Sequence, residues 1–288
     1  MKNLLFILLP GILLLSSCSN EFNGKDGLKT VYFPNTEIVQ VVAEYKDGKR
    51  EGELKEYYRN GKLKLRQFYR DDQQDDSTFF YHENGNIKEI QYRKDFKKEG
   101  LWKKFNKEGK LYEEINLKND YLDGCSTTYT YRTGRLLQRF NYKSGMKDGK
   151  QEVYYNNGNP KYVTFFRYGK PCKGTEEWEE GGQKIDNEIK ISVREKNKLL
   201  LNGKLTYYIK VADPKADDEV YLMADKTDDN YATTVSALAK EGDEYVLEYT
   251  VPVGGFIMET AKVGVFRKTG MGNTVIETKN ITVSGSNF

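Results

Sequence analysis

Histidine is almost missing from this 288-residue chain: His82 is the only one. With one imidazole, Ser-His-Asp, Cys-His and multi-histidine metal schemes are set aside. Cysteine is scarce as well, at Cys18, Cys125 and Cys172, and no histidine or further cysteine sits nearby to complete a ligand set. No GxxxxGK[ST] loop is present, nor a GxGxxG at a strand-to-helix turn. Charge of one sign is lacking too: 31% of residues are charged, yet the net charge is only +3, which gives no electrostatic case for nucleic acid. Proline is limited to 6 residues, against 22 Tyr and 14 Phe, a balance that favours β structure.

The carboxylates that remain do not form a site. "EEWEE" at Glu176–Glu180 and "DDQQDD" at Asp71–Asp76 read as solvated faces and turns, because paired glycosidase carboxylates need a shaped cleft. The loops "KADDE" and "KTDDN" do not match EF-hand spacing. The expectation is a chain without catalytic residues, cofactor or metal.

Long apolar runs are confined to the N-terminus. "MKNLLFILLPGILLLSSC" sets a lysine, an apolar run from Leu4 to Leu15 and small residues before Cys18. That run is too short to span a bilayer comfortably, so a cleaved signal is expected over residues 1–17. "LSSC" resembles the lipobox of bacterial lipoproteins, which implies cleavage before Cys18, acylation of its thiol and a stable membrane anchor. Ser19 in place of Asp favours the outer membrane, with periplasmic and surface-facing orientations both open. Residues 18–29, polar and glycine-containing, read as the lipidated cysteine and a disordered tether. Export raises the question of a disulfide, but Cys125 and Cys172 lie almost two repeats apart, roughly 20 Å of sheet at ~4.8 Å per strand, so two unbridged thiols are expected.

The stretch "YYNNGNPKYVTFF" from Tyr154 carries Asn-Gly between β-prone segments, a hairpin signal. It recurs. The turn glycines Gly61, Gly85, Gly109, Gly134, Gly158 and Gly182 follow one another at 24, 24, 25, 24 and 24 residues, and a period held that often implies a repeat architecture. A second column, Gly52, Gly100, Gly124, Gly149 and Gly174 with Asp76 standing in once, opens each unit. Four residues before the turn glycine stand Tyr57, Tyr81, Phe105, Tyr154 and Trp178; Thr130 interrupts the column in the 25-residue unit, as a bulge would. With Leu63, Ile87, Leu111, Leu136 and Pro160 these form one apolar face of period two. A degenerate half unit from Val31 is expected to cap the array.

The units "GELKEYYRNGKLKLRQFY", "GLWKKFNKEGKLYEEINL" and "GKQEVYYNNGNPKYVTFF" resemble MORN-type repeats in their bacterial variant form. The resemblance implies β-hairpins laid side by side in one elongated sheet over residues 30–184. From residue 185 to 288 the period stops. Alternating runs such as "KLTYYIKVA", "EYVLEYTVPV" and "AKVGVFRK" suggest an immunoglobulin-like β-sandwich, with an irregular extension of the repeat sheet as the alternative. The fold class expected is all-β.

For function, three readings are carried forward. The first is a lipid-anchored, non-catalytic interaction or scaffold module for an envelope or surface protein. The second is a glycan or peptidoglycan binder using exposed tyrosines; the third, from resemblance to similar bacterial repeat proteins, is an antitoxin-like neutraliser. The candidate contact residues are Tyr58, His82, Tyr131 and Tyr155, one position after the ring column along with Asn106 and expected on the opposite face, where tyrosine offers large area at small entropic cost. Cross-strand shielding of the ladder is the competing role for the same residues.

Overall fold

A computed structural model describes residues 26–224 and 234–288, which contain 22 strands and one short helix. Cys18 and the "KTDDN" loop at 226–230 lie outside the described residues. No helix of the described residues is long and apolar enough to cross a membrane.

The first fourteen strands form one antiparallel sheet whose order follows the chain, from Gly27–Tyr32 to Lys170–Glu177, with Lys97–Lys98 as a short side pair of Ile87–Lys94. At ~4.8 Å per strand it extends roughly 60 Å along the ladder direction. Asn-Gly-type turns line one rim. The other rim consists of two-residue turns in which both residues are left-handed: Asp47-Gly48, Asp71-Asp72, Asp95-Phe96, Asn119-Asp120, Ser144-Gly145 and Tyr168-Gly169. Such pairs match the right-handed twist of a hairpin.

Four expectations are revised by this geometry. The second glycine column sits inside the strands rather than at the turn, for instance Gly52 within Lys49–Tyr57, and it marks bulges where the register shifts between Ala43 and Tyr45 or Val163 and Phe165. Gly52 holds φ 100°, a backbone conformation that L side chains rarely adopt. The N-terminal unit is a full hairpin, Gly27–Tyr32 with Val39–Lys46, so Leu28 and Lys29 belong to the ladder opposite Glu44 and Ala43 rather than to a tether. The extra residue of the 25-residue unit lies in its turn: Thr130 N bonds Arg135 O, where other units close earlier, as Tyr58 N does on Lys62 O. Tyr129 therefore occupies the ring column, opposite Leu136 as Tyr57 is opposite Leu63.

The fourth revision concerns the apolar face. The sheet is a single layer, its strands packed on ladder neighbours, and among the described residues only Lys170–Glu177 makes a substantial contact with a strand of the C-terminal body. Tyr57, Tyr81, Phe105 and Tyr154 are consequently half-buried. The positions that are buried are mostly small or polar: Thr78, Asn106, Thr127, Gln151 and Thr164, beside Ala43, Leu54, Leu65 and Cys172. One run of direct ladder partners crosses the sheet as Ala43, Leu54, Gln67, Thr78, Gln91. Neither Cys125 nor Cys172 is in a disulfide.

After residue 184 the chain builds two separate four-stranded sheets, which excludes a continuation of the repeat sheet. One orders Ile191–Lys198, Lys204–Val211, Glu244–Thr250 and Ala239–Glu241; the other orders Thr234–Ala237, Glu219–Met223, Phe256–Lys268 and Thr274–Ser286. Alternation in "KLTYYIKV" and "AKVGVFRK" sends Leu205, Ile209, Val263 and Val265 inward, and together with Val283 they are fully shielded between the sheets. Asp218 of the "KADDE" loop is spent in this body. Its carboxylate accepts a two-pronged contact from Arg267 at 2.7 Å on each side and a further bond from Lys215 N at 2.9 Å.

Candidate functional site

The candidate residues sit at the start of the Asn-Gly rim, and the structure gives them a shared task. Tyr58 donates its hydroxyl to Tyr81 O at 2.7 Å, His82 Nε2 meets Phe105 O at 2.9 Å, Asn106 Nδ2 donates to Tyr131 O at 2.7 Å, and Tyr155 donates to Trp178 O at 2.9 Å. Each side chain reaches the backbone of the next unit, 23 or 25 residues on. Burial holds the Tyr58 hydroxyl above the ordinary phenol value, and the Glu83 charge acts the same way, so the donor keeps its proton. A carbonyl can only accept, which places the His82 ring proton on Nε2.

Tyr131 is the exception. Because the long turn shifts the register, Thr130 stands in the stapling column and Tyr131 lies one position beyond. Its ring is 49% exposed and leans on Tyr112 with centroids 5.0 Å apart. The structure thus groups Tyr58, His82 and Tyr155 by role and separates Tyr131 from them.

The turns above these residues interlock in the same direction. Asn60 Nδ2 donates to Glu83 O, Asn84 and Asn86 Nδ2 to Lys107 O, and Asn157 and Asn159 Nδ2 to Glu180 O. The asparagine that permits the turn therefore also fastens it to its neighbour.

On the opposite rim a column that sequence reasoning missed does equivalent work. The acid before each bulge residue accepts from a backbone N–H of the following turn, the first one at Glu51 from Asp71 at 2.8 Å, Glu99 from Asn119 at 3.0 Å, Asp123 from Ser144 at 3.1 Å and Asp148 from Tyr168 at 3.0 Å, and the second one at Asp75 from Phe96 at 3.4 Å. Asp26 accepts from Asp47 N in the same way. The signal was available as an acid recurring every 24 or 25 residues and followed by glycine, with Asp76 in its place once. The column ends at Lys173, where no further repeat turn follows, and Lys173 instead contacts Glu277 at 2.7 Å and Thr278 Oγ1 at 3.2 Å in the sandwich. Beside it Thr175 donates to Thr274 O, and the buried Glu177 carboxylate accepts from Thr269, Asn273 and Asn187 at 2.6, 2.7 and 3.0 Å.

Four stretches, 50–71, 78–95, 98–119 and 147–168, match the family model described as MORN repeat variant. The chain is similar to that family over its repeat array. The unmatched repeats are those that depart in the ways just described: the hairpin with the lengthened turn at 130–135, the N-terminal hairpin from Gly27, and the last strand joined to the sandwich. No curated protein matches the chain.

Two depressions flank the last repeat strand, of ≈ 570 Å³ around Asp148, Phe165, Tyr168 and Cys172, and of ≈ 600 Å³ around Lys184, Asn187 and Glu277. No group of three or more metal-ligating side chains occurs among the described residues. His82, the only imidazole, is committed to a backbone carbonyl.

Proposed function

We propose that this protein is a lipid-anchored, non-catalytic module of the bacterial cell envelope, whose repeat sheet binds an envelope or surface protein. The observation that carries the reading is the single-layer sheet itself. Over roughly 60 Å of ladder both faces stay open to a partner, while the polar groups of each unit are bonded to the next. Such a surface is preorganised, so a partner need not order it on binding. The N-terminal lysine, apolar run and "LSSC" support attachment at Cys18 and an outer-membrane address.

A glycan ligand is the second reading, favoured by the exposed rings of Tyr121, Tyr131 and Tyr168. The test has two parts. Cys18→Ser should abolish acylation, read as loss of the lipid mass from the mature chain by mass spectrometry; a wild-type chain that lacks this mass rejects the anchor. Crosslinked pull-down from solubilised envelope, run in parallel with a glycan array, should give one dominant protein and an empty array; a reproducible glycan signal with no protein reverses the order of the two readings.

A further inference from the structure

The six most exposed large apolar side chains of the described residues all stand at one end of the C-terminal sandwich: Leu200 (77%), Leu201 (83%), Val253 (89%), Phe256 (75%), Met258 (81%) and Phe288 (79%). They come from three segments, "LLLNG" at 199–203, "VPVGGFIM" at 251–258 and "SGSNF" at 284–288. None of these segments holds a charged side chain, in a chain where 31% of residues are charged. The end is built, not frayed. Buried Asn287 ties the segments together: its Nδ2 donates to Val251 O at 2.8 Å, its N–H to Gly255 O at 3.0 Å, and its carbonyl accepts from Gly254 N at 2.6 Å. Val251 N bonds Gly203 O at 2.7 Å, closing the short helix Leu199–Asn202 onto the same clamp.

We infer that this sandwich tip inserts into the interfacial layer of a lipid bilayer, with Leu200, Leu201, Val253, Phe256 and Met258 as the inserted side chains. Uncharged apolar clusters of this kind on a soluble surface mark contact with a partner or membrane. The shape decides between them. Side chains exposed to 75–89% barely touch one another, so the surface is convex. A folded partner would have to offer a separate socket to each, and a second identical tip offers none, since a stable interface needs about 800 Å² of complementary surface per side. Fluid acyl chains conform to any convex shape, and insertion strength grows with the apolar area covered.

Placement agrees. Thr274 lies beside Thr175, while Glu277 and Thr278 lie beside Lys173, so Thr274–Ser286 runs opposite to Lys170–Glu177. Its far end, paired with Phe256, therefore points past the rim of two-residue turns. That rim carries Phe96, Tyr121, Met146 and Tyr168, 40–61% exposed, among Lys94, Lys97, Lys143, Lys147 and Lys170, with the turn acids Asp95 and Asp120 beside them and Asp123 and Asp148 bonded to turn N–H groups. Rings and lysine stems of this type suit the headgroup level beside an apolar insertion. The inference extends the membrane-associated reading above but acts at residues far along the chain from Cys18.

The test uses a Phe256→Trp reporter in the full chain, bound to phosphatidylethanolamine–phosphatidylglycerol vesicles whose acyl chains carry bromine. Emission from the Phe256→Trp variant, taken above the background of Trp102 and Trp178, should shift blue and be quenched relative to unbrominated vesicles, and adding Val253→Asp should abolish both changes. A chain that floats with the vesicles while that signal stays unquenched overturns the inference and leaves the lipid anchor intact. A chain that does not float overturns both. In the Cys18→Ser background, a quenched signal supports the tip and shows that acylation is not the only attachment; flotation lost there, with quenching kept in the Cys18 chain, supports both attachments. A blue shift that grows with protein concentration and needs no vesicles assigns the tip to a second copy and overturns the inference.

Discussion

In the sandwich, Leu205, Ile209, Val263, Val265 and Val283 are wholly removed from water, whereas in the repeat sheet the rings from Tyr57 to Tyr154 remain half-exposed. The difference lies in layers. Two sheets can bury each other's inner faces; a single sheet has nothing to cover either face, so apolar burial cannot carry it. The repeat sheet compensates with directional bonds that recur once per unit: tyrosine, histidine or asparagine to the next backbone on one rim, acid to the next turn on the other. Stability should accordingly concentrate in a few buried residues of the sandwich and spread thinly over many in the array.

The sharpest way to expose the sandwich's dependence on its interior is Arg267→Met. Arg267 and Asp218 are 8% and 1% exposed, and removing the cation leaves an unpaired buried carboxylate. A loss of about 3 to 5 kcal/mol is expected, read from urea denaturation of the sandwich transition. The pair also sets a pH dependence. Burial works to raise the Asp218 pKa, but the Arg267 guanidinium and the Lys215 N–H outweigh it and hold the carboxyl below its ordinary value. A depressed carboxyl contributes stability above the unfolded value of about 3.9 and loses it as pH falls through the folded one. The wild-type sandwich should therefore weaken below about pH 4, and a flat profile there would show that the pair does not act this way.

Next comes a matched truncation in the two regions. Ile209→Ala empties a fully shielded position and should cost about 3 to 4 kcal/mol, against about 1 to 2 kcal/mol for the half-exposed Phe105→Ala. Equal losses would mean that the array holds a covered core after all.

How much of this was legible follows from which residues carry each feature. The period showed because Gly61, Gly85 and Gly158 sit in Asn-Gly turns, whose chemistry is nearly unique to them. The opposite turns did not announce themselves, because Asp71-Asp72, Asp95-Phe96 and Tyr168-Gly169 reach the same left-handed geometry with dissimilar residues. The sandwich strands were readable from alternation, since a covered face penalises every error of register. The stapling role of Tyr58 and Tyr155 was not, because a tyrosine one unit from another tyrosine looks the same whether its hydroxyl meets water or a carbonyl. The one-residue insertion at Thr130–Arg135 was visible as a 25-residue spacing, yet only the hydrogen bonds place it in the turn and move Tyr129 into the ring column.

A smaller effect tests the staples directly. Tyr58→Phe and Tyr155→Phe each delete one donated hydrogen bond while keeping the ring; Tyr58→Phe should cost about 1 kcal/mol, and Tyr155→Phe should lower the melting temperature of the array. Because each bond joins one unit to the next, the double variant should exchange amide hydrogens faster around Tyr81 and Trp178 than in the sandwich. Uniform exchange across both regions would show that the bonds are incidental to coupling between repeats.

The smallest expected effect on stability belongs to Tyr131→Ser, and it bears most on function. Tyr131 lies outside the stapling column, is 49% exposed, and is held by its tilted contact with Tyr112. Losing that contact should cost below about 1 kcal/mol, so a change in partner or glycan capture could not be blamed on unfolding. The same substitution at Tyr58 or Tyr155 breaks a bond between repeats and would confuse the two causes. Tyr131→Ser should weaken capture with an unchanged melting profile if the long-turn side of the array is the contact surface. Full capture by that variant, set against weakened capture by Tyr121→Ser or Tyr168→Ser, would move the contact to the rim of two-residue turns, where those rings are exposed beside turns already fastened by Glu99, Asp123 and Asp148.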